Sequence, residues 1–127
     1  MSAAEPGDRP TMTEPTLKPI RLPVRRETIL AYAQITGDYN PIHVDADFAA
    51  RSPMGGIVAH GTMSLNLLWQ AIAATLGDEA ALRATLDVRF VRPVRIGDTV
   101  EAGGRRLPGQ PDGWEVWVRT ASGEPVI

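Results

Sequence analysis

The chain has 127 residues, a formal net charge of −2 and an isoelectric point near 5.6. That length is one domain with room for a real core, and the mild acidity excludes the basic footprint of a nucleic-acid binder. It contains no cysteine, which excludes a disulfide framework, a thiolate nucleophile and a cysteine metal site, and is compatible with the cytoplasm.

Residues 1–19 carry Pro6, Pro10, Pro15 and Pro19 among small and charged residues. They hold no apolar run of the secretory kind, so a mobile tail is expected there, followed by a single domain over 20–127. The run IRLPV from Ile20 reads as a short strand, with Pro23 suited to an edge or a strand end. Glu27 to Thr36 reads as a helix with Ile29, Tyr32, Ala33 and Ile35 near one face, stopped by Gly37. Pro41 pushes Asn40 toward extended geometry, so 37–43 is expected to be loop. Asp45 then opens a short helical piece through Ala50 that buries Phe48, and SPMGG is loop chemistry.

The stretch GTMSLNLLWQAIAATLG, from Gly61 to Gly77, is expected to be the central helix. Its residues are apolar nearly all round, which marks a helix buried on most sides. Thr62 is a candidate cap, and Gly77 a candidate left-handed exit. A polar link follows. LDVRFVRPV (86–94) alternates as a strand does, with Leu86, Val88 and Phe90 on one side. TVEAGGRRL (99–107) is a second strand, where Gly103 and Gly104 suggest a bulge or a close approach. PGQPDG is a hairpin loop, Trp114 to Arg119 a third strand, and Pro125-Val126-Ile127 a very short last run. Strands at hairpin spacing after an embedded helix argue an α+β fold, a curved antiparallel sheet wrapped on that helix.

Two short stretches carry chemistry. In Gly37-Asp38-Tyr39-Asn40-Pro41-Ile42-His43, an Asn-Pro turn lets Asp38 and His43 converge, and a carboxylate beside an imidazole is an acid–base pair able to hold one water. In Ala59-His60-Gly61, a helix start presents free backbone N–H groups, and Gly61 lacks the Cβ that would keep a carbonyl away. Together these suit chemistry beside a thioester or a similar carbonyl. His43, Asp45 and Asp47 could suggest a metal, but no second histidine stands at metal-ligand spacing, so no metal is expected. Met54, Met63 and Trp69 fit core or pocket wall alike. Arg89, Arg92 and Arg95 fit a solvated strand face or contacts for phosphate groups.

YAQITGDYNPIHVD (32–45), GGIVAHGTM (55–63) and RFVRPVRIGDTV (89–100) resemble the MaoC-like (R)-specific enoyl-thioester hydratases and dehydratases, from about Leu22 to Val118 and in the same order. The resemblance implies the hotdog fold, a long helix wrapped by an antiparallel sheet. It implies Asp38 and His43 as a catalytic dyad, with Asn40 ordering their loop. The Gly61 N–H would bind the thioester oxygen, with Ala59 and His60 beside it. It implies no cofactor and a thioester of coenzyme A or an acyl-carrier protein as substrate. The expected assembly is a two-fold dimer, or a heteromer with a related hotdog subunit. Two other functions stay open on this reading: a non-catalytic acyl-binding or partner subunit, and a hotdog thioesterase.

Overall fold

The computed structural model describes residues 15–127. Its elements, in chain order, are β1 (Ile20–Pro23), α1 (Arg26–Thr36), α2 (Pro41–Val44), α3 (Ala46–Arg51), α4 (Gly61–Leu76), α5 (Asp78–Arg83), β2 (Thr99–Arg106) and β3 (Trp114–Thr120). The strands form one antiparallel sheet in the order β1-β2-β3, with Leu22 opposite Val100 and Ala102 opposite Val118. All three strands pack on α4. Met63, Leu67, Leu68, Ala71 and Ile72 of the helix meet Val100, Ala102 and Val118 of the sheet in one core. The fold is the hotdog fold that the resemblance implied.

The central helix is less enclosed than its composition suggests. Thr62, Asn66, Gln70 and Ala74 are exposed. Spaced every four residues, they form one open stripe along the helix. Gly103 and Gly104 mark a close approach and not a bulge, since the β2–β3 register runs unbroken through them. A Cβ on Gly103 would stand 2.7 Å from the Trp117 indole nitrogen, and one on Gly104 2.9 Å from the Glu115 carbonyl.

Several expectations are corrected. Residues 1–14 of the expected tail lie outside the described residues. Its remainder is docked: Leu17 belongs to the core, and its N–H donates to the Gly104 carbonyl at 2.9 Å. The segment 86–94 forms no strand and joins no ladder. Leu86 and Val88 are half-buried, yet Phe90 is 50% and Val91 56% exposed. Alternation records which side chains turn inward; a ladder also needs a neighbouring strand, which that pattern cannot supply. Val91 N–H donates to the Val126 carbonyl at 2.9 Å, and the expected last run is no strand but an isolated bridge from Pro125 to Arg119, with the Val126 and Ile127 N–H groups donating to the Val118 carbonyl.

Local chemistry explains the other differences. Asn40 is extended as expected, but Pro41 then starts the four-residue α2 instead of continuing a loop, because proline is pre-set for a helix's first turn. Asp45 caps α3 through Phe48 N–H, while Phe48 itself is exposed and α3 buries Ala49. Gly77 has φ +94° and ψ 158°, outside the left-handed helical region, and leads directly into α5, where a polar link was expected. Thr62 does not cap α4: the N-cap is His60, with no side-chain cap bond, and the Thr62 hydroxyl faces Tyr32 Oη at 2.7 Å.

Candidate active site

Gly37, at φ +72°, ends α1 in the left-handed geometry that glycine adopts without strain. The chain then reverses through a nested pair of side-chain turns. Asp38 Oδ1 accepts from Asn40 N–H at 3.1 Å, and Asn40 Oδ1 accepts from Ile42 N–H at 3.2 Å. These are Asx turns, in which a short polar side chain replaces a backbone acceptor. They bring Asp38 and His43 to one place.

Two contacts fasten this loop to the segment before α4. His43 Nδ1 lies 2.7 Å from the Val58 carbonyl, and Val58 N–H donates to the Ile42 carbonyl at 3.2 Å. A carbonyl only accepts, so Nδ1 carries the proton and Nε2 of the neutral ring is left as the acceptor. His60 Nε2 lies 2.9 Å from the Asp38 carbonyl and is a donor for the same reason. The His60 ring is 2% exposed and stacks on His43, with centroids 3.9 Å apart and planes 26° apart. Tyr32 meets its edge at 5.0 Å, and Tyr32 Oη accepts from Asn66 Nδ2 at 3.0 Å. His60 is therefore a clamp on both arms of the dyad. A structural, hydrogen-bonded ring is what the sequence favours for His60; its partners could not be read there, because the Asp38 carbonyl and the His43 ring are distant in the chain.

One carboxylate oxygen of Asp38, one ring nitrogen of His43 and one of His60 lie within 4.8 Å of one another. A second histidine does reach the site, contrary to the expectation from spacing. The geometry does not fit a shared metal ion. His43 Nδ1 and His60 Nε2 are engaged with carbonyls, and stacked rings with planes 26° apart keep their in-plane lone pairs in separate planes, which opposes their convergence on one ion. A single water bridging Asp38 and His43 suits such a gap.

The helix start forms the other half. Ala59, beside Gly61, spends its N–H on the Val94 carbonyl at 2.7 Å. Gly61 opens α4, where first-turn N–H groups have no intrahelical partner and the helix dipole is positive. Ala59, His60, Gly61 and Ser64 form one wall of a cavity of about 340 Å³, faced by Phe90 to Val94. Asp38 and His43 are not among its lining residues; His60 is what the cavity and the dyad share. A larger groove of about 820 Å³ between α4 and α5 carries none of the motif residues.

A long helix wrapped by an antiparallel sheet, with the Asp38–His43 loop bonded to the segment before that helix, is the hotdog architecture. The chain belongs to the MaoC like domain family, which matches residues 8–107. It is 41% identical over 73 residues to the 3-hydroxybutyryl-CoA dehydratase of Methylorubrum extorquens, covering 58% of this chain and 46% of that protein. Among solved structures, the R-hydratase PhaJ1 of Pseudomonas aeruginosa superposes with a TM-score of 0.71 at 26% identity, over 90% of this chain and 75% of that one. The ChsH1–ChsH2 complex of Mycobacterium tuberculosis shares the fold, with a TM-score of 0.74 at 21% identity over 91% and 92%. The chain spans about half the length of the curated relatives it matches.

Proposed function

We propose that the protein adds water across the C2=C3 bond of a 2-enoyl thioester to give a (3R)-hydroxyacyl thioester, and catalyses the reverse dehydration. The observation that carries this is the meeting of Asp38, His43 and His60 within 4.8 Å beside the open N–H of Gly61. The dehydratase and R-hydratase names of its relatives support the same chemistry. The thioester oxygen sits on Gly61 N–H, which draws electron density from C3. Asp38 and His43 hold the water. His43 Nε2, its lone pair left free by the Val58 contact, takes a proton as the water oxygen bonds to C3. The C2=C3 electrons move to the carbonyl oxygen as an enolate. The imidazolium, steadied by the Asp38 carboxylate, returns its proton to C2 on the same face, and the neutral ring is restored.

Crotonyl-CoA tests the reaction. The expected result is loss of enoyl absorbance with no release of free thiol. Thiol release would make the protein a thioesterase, and binding without either change would make it an acyl-binding subunit.

The carrier, coenzyme A or an acyl-carrier protein, and a cytoplasmic location belong to the same proposal. No described helix is long and apolar enough to cross a membrane. A two-fold dimer is expected, because the three-stranded sheet ends in edge strands, β1 and β3, that a partner could extend. Light scattering checks this. A fully active monomer would contradict it, and an inactive chain rescued by a related hotdog subunit would establish the heteromer instead.

A further inference from the structure

The cavity beside Gly61 has one aromatic wall. A Cβ built on Gly61 would lie 3.4, 3.6 and 3.7 Å from Cε1, Cδ1 and Cζ of Phe90. The Phe90 ring therefore rests on the bare α-carbon of the residue that opens α4. Neighbouring backbone bonds hold that wall in place: Val91 N–H to Val126 and Ala59 N–H to Val94, at 2.9 and 2.7 Å. Phe90 is half-exposed, so part of its ring faces the open side of the cavity, with Met54 also lining it.

This placement matters for one part of the substrate. An oxygen bound at Gly61 N–H brings its carbonyl carbon one bond away, and C2 and the sulfur two bonds away. The atoms nearest the Phe90 ring are then the reacting end of the acyl group and not its tail. We infer that Phe90 is a specificity-determining residue that excludes substituents at C2, so that the enzyme prefers 2-unsubstituted enoyl thioesters over their 2-methyl counterparts. The inference rests on the hydratase function proposed above. The side of the ring that meets Gly61 is in van der Waals contact with it, so an added methyl there must displace the ring against the Val91–Val126 bond.

The test compares crotonyl-CoA with 2-methylcrotonyl-CoA, in the wild type, Phe90→Leu and Phe90→Ala. The wild type should prefer crotonyl-CoA in kcat/KM by about 10–200-fold, the range that one methyl group commands in an apolar pocket. Phe90→Ala should reduce that ratio about tenfold or more, and Phe90→Leu should fall between. Because the side chain is half-exposed, both variants should fold; circular dichroism checks that, and Phe90→Leu carries the test should Phe90→Ala fail to fold. Equal wild-type activity on both substrates would overturn the inference, as would equal losses on both that leave the ratio unchanged. A wild type that hydrates neither substrate would instead remove the hydratase function itself, a separate and recognisable failure.

Discussion

Asp38→Asn and His43→Asn are each expected to lower kcat by about 10²–10⁴, the usual worth of a positioned acid–base group. Both substitutions spare the local fold. In Asp38→Asn the amide oxygen still accepts from Asn40 N–H. In His43→Asn an amide N–H stands where His43 Nδ1 now donates to Val58. What is lost is the carboxylate charge in one case and the free ring nitrogen in the other. The double variant should be little worse than the weaker single one, since both groups are proposed to act on one water. Steady-state kinetics on crotonyl-CoA, with circular dichroism of each variant, decide the point. Near-wild-type turnover in both folded variants would remove catalysis from this pair.

Gly61→Pro should lower kcat by about 10²–10³, the cost of one oxyanion donor, with little loss of stability. Proline deletes the N–H that is proposed to hold the thioester oxygen. The backbone is unusually ready to receive it. Proline is favoured at the first position of a helix, and it wants an extended residue before it. His60 is already extended, at φ −62° and ψ 133°. Proline also brings a Cβ toward the Phe90 ring at 3.4 Å. Gly61→Ala carries that Cβ and keeps the donor, so it is the control. A large deficit in Gly61→Pro beside a small one in Gly61→Ala isolates the hydrogen bond. Normal kcat in a folded Gly61→Pro protein would mean that the oxygen is held elsewhere.

What the sequence made legible is local and periodic. The apolar run of α4, the stop at Gly37 and the close approach at Gly103 and Gly104 all follow from residue chemistry within one element. Asp38, Asn40, His43 and Gly61 were legible from the pattern of a resemblance, and the structure gathers Asp38 and His43. What was not legible depends on distant partners. The alternation of 86–94 could not reveal that the ladder is missing. Phe48 is apolar and helical, yet it turns outward because Ala49 fills the buried position. Thr62 has the chemistry of a cap, yet Tyr32, thirty residues away, takes its hydroxyl. His60 bonds the Asp38 carbonyl and Phe90 rests on the bare Gly61, neighbours that no spacing rule connects to them.

The nested turns through Asp38 and Asn40 fasten the loop proposed to move the proton within itself, by bonds spanning two residues. Its hold on the start of α4 is of another kind: three bonds, from His43, His60 and Val58, bridge stretches fifteen to twenty-two residues apart. This seam is the better shielded of the two: the His43–Val58 and His60–Asp38 contacts are part-buried at 2.7 and 2.9 Å, while the bonds of the turns are exposed at 3.1 and 3.2 Å. The loop and the start of α4 are therefore yoked as one piece, and warming should loosen the turns before it parts the two stretches.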